Sequence, residues 1–376
     1  MKKMPHSLAR WSVALVLAVP SAHGEPVLEL EVGTGDPATL FWDTDFGPSY
    51  YLYGSGNMVD WAYVEGFPQA GTGAPMEHLF TPAARSGFFL LVEAPPAPAG
   101  FRLIPPGPFE MGNAMDVNEG LDDELPVHGV GLAAYYLAEH EVTKALWDEV
   151  RTWGLGNGYP DLPAGNGKGA GHPVHSLTWH DVVKWCNARS EKEALDPCYR
   201  VAGAVYKTGA SDAVTCDFSP GMGYRLPTEA EWEKAARGWS AGRRFPDGDT
   251  ISHDQANYYA STYHGYDLGP TDGFHPTYDD GVPPYTAPAG TFARNGYGLQ
   301  DMAGNLFEWC WDWYSADYYA VSPVNDPRGP AAGPCRVFRG GGWNGFGYSR
   351  AAYRGLSFPS IKFYDLGFRL ARTATP

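Results

Sequence analysis

The chain has 376 residues, 47 of them glycine and 33 proline, and a formal net charge of -16 at pH 7. A chain of this length can bury more than one core, but its frequent glycine and proline residues interrupt long amphipathic helices, so we expect a loop-rich fold with an aromatic core. The negative charge argues against nucleic acid or an anionic membrane as a partner, because both require a basic surface.

Residues 1–24 have the pattern of an export signal peptide. Basic residues precede a short apolar run over 11–19, and residues 22–24 offer a site for signal cleavage. The run is too short to cross a bilayer and no other stretch is long enough, so we predict no membrane span. We expect a secreted or periplasmic protein that begins near Glu25, with an uncleaved anchor at the N-terminus as the alternative.

Residues 25–94 are predicted to form a separate small all-β module. Short alternating or aromatic runs separated by turn residues predict strands at 27–32, 38–42, 50–53 and 87–92. Within this module, 51–61 predicts two strands joined by a tight polar turn. The proline-rich segment 95–100 predicts a stiff linker to the following domain, which we place at 101–373.

Three helices are predicted in that domain, each starting after a threonine that can cap it. Thr143, Thr178 and Thr228 each precede a segment with apolar residues at helical spacing. Thr228 is followed three residues later by Glu231, which is the spacing of a capping box.

Charged residues near two of these helix starts could suggest acid–base catalysis. We interpret Glu229, Glu231 and Glu233 as acids that favour the N-terminal end of a helix, which accounts for them without catalysis. His180 and Asp181 are likewise interpreted as exposed residues of a first helical turn rather than as a catalytic pair.

Three motifs occur in order along the C-terminal half. They are GYRLPTEAEWE over 223–233, NGYGLQDMAGNLFEWCWDW over 295–313, and RGGGW over 339–343 with a closing LGFR over 366–369. Together they resemble the formylglycine-generating enzymes, or sulfatase-modifying factors, over residues 101–372. The resemblance implies an α+β, loop-rich domain of that fold, preceded here by the small all-β module.

The resemblance also implies two calcium sites built from oxygen ligands, which suit this hard cation. The first would use Asn257, Tyr258, Asp272 and Phe274. The second would use Asp301, Gly304, Leu306 and Glu308, with Asp301 where the family usually has Asn. From the residues alone, the alternative at both places is a glycine-rich turn whose side chains cap backbone amides.

The family's oxidase chemistry depends on two cysteines that follow the Arg-Gly-Gly strand, where they bind copper(I) through soft thiolates. The matching window here, 343–354, contains no cysteine, and Cys335 lies upstream of the strand. Phe307 also precedes Glu308, where the family usually has Trp. The sequence therefore argues against copper and against formylglycine formation.

Another branch of the family uses iron and takes its histidines from an additional helical domain, which residues 25–94 do not resemble, so the sequence gives no support for iron. We expect a non-oxidase member that binds a protein or glycan in the family groove. The predicted groove residues are Trp343, Asn344, Arg350 and Arg354. The alternative is a metal-dependent oxidoreductase whose scattered histidines meet near 344–350.

The five cysteines fit an oxidising compartment. Cys198 and Cys216 bracket a short polar excursion, and a disulfide between them would contribute about 3 kcal/mol on the chain-entropy model. Cys310 and Cys335 are a second candidate pair, which would leave Cys186 as a buried free thiol. None of these pairings follows from the sequence alone.

Overall fold

A computed structural model describes residues 97–115, 119–345 and 347–374, together with the backbone of the strands that precede them. The chain divides after Ala97 into two compact units. The strands of the first unit are β1 Ser12–Leu15, β2 Leu28–Val32, β3 Ala38–Trp42, β4 Ser49–Ser55, β5 Trp61–Tyr63, β6 Gln69–Ala70, β7 Met76–Phe80 and β8 Ser86–Ala94.

The first unit contains two sheets, and the strands predicted in 25–94 are present in them. One sheet has the order β1-β8-β4-β5 with β6 also paired to β4, and the other has the order β2-β3-β7. The predicted pairing of two strands within 51–61 is confirmed, since Ser55 of β4 pairs with Trp61 of β5, whereas residues 56–60, where the tight polar turn is predicted, lie outside the described residues. Strand β1 lies within the predicted export signal and pairs in parallel with β8.

The second unit combines three helices with short strands. The helices are α1 Lys144–Leu155, α2 Trp179–Lys192 and α3 Glu229–Arg237, with single 3-10 turns at Asp122–Glu124 and Tyr318–Ala320. The strands are β9 Phe101–Ile104, β10 Gly107–Met111, β11 His128–Leu132, β12 Tyr135–Ala138, β13 Tyr199–Val201, β14 Ala204–Val205, β15 Val214–Cys216, β16 Phe307–Trp313, β17 Arg336–Arg339, β18 Gly355–Ser357, β19 Leu366–Gly367 and β20 Ala371–Thr373.

Four small sheets hold this unit, in agreement with the predicted α+β, loop-rich class. They are β10-β11, β20-β12-β9, β14-β13-β15 and β18-β17-β16-β19. Between Arg237 and Phe307 the described chain has no helix or strand. That long stretch has its own small core, which includes Phe245, Ile251 and Tyr258.

All three predicted helix caps are confirmed. The Thr143 hydroxyl accepts from the amide of Leu146, and complete capping boxes join Thr178 to Asp181 and Thr228 to Glu231. Helix α3 ends at Gly238, whose φ of 55° is the left-handed conformation that glycine adopts at helix ends.

Large aromatic side chains form the centre of the unit, as the composition predicts. Trp147 of α1 stacks on Trp185 of α2 with ring centroids 5.4 Å apart, and Phe368 meets both rings edge-on. Trp232 of α3 and Trp309 of β16 are also fully buried. Among the described residues, no helix is long and apolar enough to cross a membrane.

The predicted exposure of His180 and Asp181 is wrong, because both side chains are buried. The start of α2 is covered by a later segment, in which the carbonyl of Pro359 accepts from the amide of Trp179. Asp212 also lies 3.5 Å from the imidazole of His180. Burial lowers the pKa of His180, so the neutral ring is favoured at this position.

Candidate binding site

The RGGGW motif forms a tight turn at the end of β17. Gly341 has a φ of 77°, and a Cβ atom there would lie 2.4 Å from Oγ of Ser349 and 2.8 Å from its Cα atom. Only glycine fits such a backbone approach. Three buried polar atoms near this turn and its supporting loop, Nε1 of Trp343, Oγ of Ser349 and Oδ1 of Asn257, have no hydrogen-bond partner among the described residues.

A buried charge network fixes the turn to helix α3. Glu233 is fully buried and pairs with both Arg237 and Arg339. Its Oε1 atom also accepts from the amide of Gly112 at 2.8 Å. The assignment of Glu229 and Glu233 to helix-start electrostatics is therefore incomplete, because both make buried ion pairs with distant arginines.

Two predicted groove residues take part in this network and do not line an open surface. Arg350 makes a two-pronged pair with Glu124, with N–O distances of 2.5 and 2.7 Å. Arg354 pairs in the same way with Glu229, at 2.7 and 2.9 Å. Both arginines are at least 94% buried, so we correct their predicted role from ligand contact to support of the turn.

The other two predicted groove residues lie beside a cluster of aromatic rings. The buried Trp343 ring contacts the rings of Phe274, Tyr285 and Tyr364, with centroids 5.1 to 5.6 Å apart. Asn344 donates from Nδ2 to the hydroxyl of Tyr364 at 3.4 Å. This side of the turn therefore presents an amide and a tyrosine above a buried indole.

The opposite side of the turn is also aromatic. Phe307 packs against Gly342, and its ring centroid lies 6.3 Å from that of Tyr348 and 6.4 Å from that of Tyr353. Six of the thirteen large hydrophobic side chains that are exposed in the described residues lie within 348–364. We call these six the aromatic surface: Tyr348, Leu356, Phe358, Ile361, Phe363 and Tyr364.

The first predicted calcium set is only partly brought together. Asn257 is buried and donates from Nδ2 to the carbonyl of Tyr285, while its Oδ1 atom keeps its acceptor capacity. The Tyr258 carbonyl accepts from His253. Asp272 is exposed and accepts from Thr262, while the ring of Phe274 packs on Trp343.

The second predicted set is in close contact but already makes internal bonds. Both Glu308 oxygens pair with Arg369 at 2.6 Å, and Trp232 donates to Oε2. The Asp301 carboxylate accepts from the amides of Gly290 and Phe292. Burial raises the pKa of Asp301. Asp301 therefore caps backbone amides, whereas Glu308 makes a buried ion pair that the sequence did not predict.

Glu141 is a third carboxylate of this region, and the sequence patterns did not predict its place here. Glu141 is completely buried; Oε1 accepts from Asn305 and Oε2 has no partner among the described residues. Burial, followed by the charges of Asp301 and Glu308, raises the pKa of Glu141. Its position two residues before the Thr143 cap gives no indication that it contacts Asn305, which is 164 positions later in the chain.

Backbone hydrogen bonds join both predicted calcium loops to the RGGGW turn. The amide of Asn305 donates to the carbonyl of Asn257 at 2.7 Å, and that of Gly304 donates to Gly340 at 2.8 Å. The amide of Trp343 in turn donates to the carbonyl of Asn305 at 2.8 Å. These backbone hydrogen bonds position the aromatic residues of the turn without requiring a bound ion in either loop.

The histidines do not gather in the way that the metal-enzyme alternative requires. His264 lies against Gly347, whereas the rings of His253 and His275 contact each other at a tilt, with centroids 4.9 Å apart, and His253 also contacts Tyr258. Within the described residues no group of three or more His, Cys, Asp or Glu side chains is arranged to hold a metal ion.

All five cysteines are free thiols. The structure shows no bond between Cys198 and Cys216, which lie at the same end of the β13–β15 pair, so the predicted bridge stays a prediction. The second candidate pair is wrong: the carbonyl of Cys335 accepts from Tyr314, which lies four residues beyond Cys310. Cys186 is a buried free thiol, as predicted.

Comparison with known proteins gives one consistent family. Residues 91–374 match the sequence family described as the sulfatase-modifying factor enzyme 1-like domain. The chain is 34% identical over 292 residues to a formylglycine-generating enzyme of Streptomyces coelicolor, a match that covers 72% of this chain and 88% of the relative.

Other similar proteins have different names. The chain is 31% identical over 279 residues to the serine/threonine-protein kinase pkn1 of Chlamydia pneumoniae, which covers 72% of this chain but only 37% of that protein. The solved structure of Treponema denticola variable protein 1 is similar, with a TM-score of 0.55 and 28% identity over 73% of this chain and 94% of that one.

Proposed function

Since the chain belongs to the family of sulfatase-modifying factor enzyme 1-like domains, we propose that it is a non-oxidase member that binds an apolar protein segment on the aromatic surface. The observation that carries the proposal is the concentration of exposed aromatic and aliphatic side chains within residues 348–364, the segment that follows the RGGGW turn in the chain. Soluble proteins rarely expose contiguous apolar patches, and those that occur often mark binding sites.

The chemistry of the turn supports a role in binding rather than oxidation. Residues 343–354 contain no thiol that could hold copper(I). The charged side chains of this window, Arg350 and Arg354, are already neutralised by Glu124 and Glu229. What remains available to a ligand is the aromatic surface together with Asn344.

A protein ligand fits this surface better than a glycan does. Leu356 and Ile361 are 45% and 40% exposed, and aliphatic side chains lack the flat face that stacks on a sugar ring. Phe358 is 57% exposed and supplies an anchor of the type that dominates protein interfaces. The family description also names a factor that modifies sulfatases, which are themselves proteins.

We test this function with a linear peptide library displayed on phage and selected on the immobilised full chain. Enriched peptides should carry apolar or aromatic residues, and their Kd by fluorescence anisotropy should rise about thirtyfold or more in the Phe358→Ser, Tyr364→Ser double variant, because anchor side chains contribute about 1–2 kcal/mol each. In a parallel arm, copper-loaded protein and a sulfatase-motif peptide should yield no formylglycine by mass spectrometry.

The control variant is Val321→Ser, which removes a side chain that is 75% exposed on a different segment and should leave peptide affinity unchanged. Equal losses in both variants, or binding on a glycan array but not to peptides, would overturn a protein ligand. Turnover of the sulfatase-motif peptide would overturn the non-oxidase assignment.

We also propose that the loop around Asn257 binds one calcium ion. Its buried Oδ1 atom lacks a partner, and an amide oxygen is a ligand that calcium accepts. Asp272 is exposed, and hydrogen bonds from Thr262 lower its pKa, so this carboxylate is charged at neutral pH. The second loop supports a cation less well, because Arg369 already pairs with both oxygens of Glu308.

Calorimetric titration of chelator-treated protein with calcium should therefore show one site per chain. Calcium at 100 times its Kd should raise the free energy of unfolding by about 2.7 kcal/mol through mass action. Asn257→Ala should abolish binding, whereas Asp279→Asn, which changes an exposed acid of a neighbouring loop, should not. A stoichiometry of two would restore the second predicted site, and no heat of binding would refute both.

The remaining alternative, a metal-dependent oxidoreductase, requires bound iron or copper. Elemental analysis after reconstitution that finds a transition metal at one equivalent would favour it over the binding function. We retain export as a proposal that rests on residues 1–24, and an N-terminal sequence beginning near Glu25 after expression in a secreting host would support it.

A further inference from the structure

A pocket lies on the hairpin inserted between α2 and α3. Its volume is about 520 Å³, and strands β13 and β15 form part of its wall. The lining side chains combine two thiols, two guanidinium groups and short polar residues: Cys198, Arg200, Thr215, Cys216, Asp217, Phe218, Ser219 and Arg328. Neither the aromatic surface nor the calcium loops use any of them.

The two thiols are adjacent and unequal in exposure. Tyr199 pairs with Cys216 in the register of β13 and β15, which places Cys198 diagonally across from Cys216. Cys198 is 1% exposed and donates to the carbonyl of Gly223 at 3.3 Å, whereas Cys216 is half-buried. Cys216 is thus the more exposed of two neighbouring cysteine residues, which suits it for the attacking role and Cys198 for the resolving role.

The thiols are also electrostatically coupled. A hydrogen bond from Cys216 lowers the pKa of Cys198, with a further contribution from the charge of Arg225. Burial raises the pKa of Cys216. After the pair loses one proton, the negative charge is favoured on Cys198 and the remaining proton on Cys216, and transfer of that proton along the hydrogen bond makes Cys216 the thiolate.

The charges of the lining residues favour an anionic ligand. Arg328 is exposed and stacks its guanidinium over the ring of Phe218, 4.1 Å from the centroid. Arg200 is half-buried and points one nitrogen toward the carbonyl of Gly203 at 3.4 Å. Against these two positive charges the pocket lining holds a single carboxylate, Asp217.

We propose that this pocket is a thiol–disulfide exchange site that accepts a small anionic disulfide. In the first step Cys216 passes its proton to the Cys198 thiolate and attacks one sulfur of the ligand; a mixed disulfide forms on Cys216, the ligand S–S bond breaks, and the departing thiolate takes up a proton from solvent. In the second step Cys198 loses its proton to solvent and attacks the Cys216 sulfur, which releases the second ligand thiol. The protein is oxidised by two electrons and the ligand is reduced to two thiols.

To test this proposal, the full chain is first reduced and then separated from the reductant. One sample is mixed with oxidised glutathione, which is an anionic disulfide, and another with cystamine, which is a cationic disulfide. Peptide mapping should find a crosslink between Cys198 and Cys216, and glutathione should react about threefold or more faster than cystamine at low salt. Charge reversal with Arg200→Glu and Arg328→Glu should bring that ratio to one or below. The Cys198→Ser variant should stop at the mixed disulfide on Cys216.

Three outcomes would overturn the proposal. They are labelling of Cys186, Cys310 or Cys335 in preference to the pocket pair, a rate that does not depend on ligand charge, and a Cys198–Cys216 bond that forms equally fast in the charge-reversed variant. The last outcome would indicate an ordinary structural disulfide. Circular dichroism of each variant separates a change in exchange from a failure to fold.

Discussion

Replacing Arg339 with methionine should lower the free energy of unfolding by about 3–5 kcal/mol, the usual cost of removing one partner of a buried ion pair. Arg339 is fully buried and donates to Glu233. It also donates to the backbone carbonyls of Ala351, Ala352 and Tyr353. The substitution therefore leaves a carboxylate short of one partner and several carbonyls without a donor.

The loss should depend on pH through Glu233. Burial raises the pKa of this carboxyl, but the charges of Arg237 and Arg339 outweigh burial and lower it overall. A group whose folded pKa is lowered contributes stability above its unfolded pKa, and that contribution is lost as the pH falls through the folded value. The difference between wild type and Arg339→Met should therefore be largest near pH 7 and shrink under acid conditions.

Urea unfolding followed by tryptophan fluorescence at pH 7 and at about pH 4 measures both effects. The control is Arg294→Met, which breaks a pair with Glu139 in which the arginine side chain is 45% exposed. Exposed pairs contribute about 0–1 kcal/mol, so this variant should be nearly neutral. If Arg339→Met lowered the free energy of unfolding no more than the control does, the buried network would not hold the turn.

Gly304→Ala should lower the free energy of unfolding by about 2–4 kcal/mol, because the added Cβ atom stands on a left-handed backbone and also clashes with a neighbouring backbone segment. Gly304 has a φ of 76°, and an added Cβ would lie 2.3 Å from the carbonyl oxygen of Asn257 and 2.9 Å from its carbonyl carbon. Both atoms belong to backbone and no flexible side chain can move aside. The loop would have to separate from Asn257, which should also weaken calcium binding and displace the RGGGW turn.

Gly209→Ala is the matched control. Its φ of 77° is almost the same, but a Cβ there would have nothing within 4 Å. Gly209→Ala should therefore lower the free energy of unfolding by only about 1–2 kcal/mol, through the left-handed backbone conformation alone. Chemical denaturation of both variants separates the two contributions. Equal losses would show that the contact between Gly304 and Asn257 is loose and that the calcium loops do not position the turn.

Local sequence patterns predicted the elements of this fold well. Thr228 and Glu231 are three residues apart, and a capping box needs only that spacing, so its geometry is local. The hairpin around 51–61 is likewise decided by a turn and its flanking strands. The three ordered motifs identified the family because they occur together in the same order, although each alone is ordinary turn and cap chemistry.

The sequence by itself thus determined the family, the absence of thiols from the RGGGW window and the helix caps. Only the tertiary structure decided which charged side chains form buried ion pairs and are therefore unavailable to a ligand. Glu124 and Arg350 are 226 positions apart, and Glu229 and Arg354 are 125 apart, so no local spacing links them. Their pairing removes two predicted groove arginines from the surface and leaves the aromatic side chains as its chemistry. The physical reason is that a buried charge needs a partner, and folding alone determines which partner comes within reach.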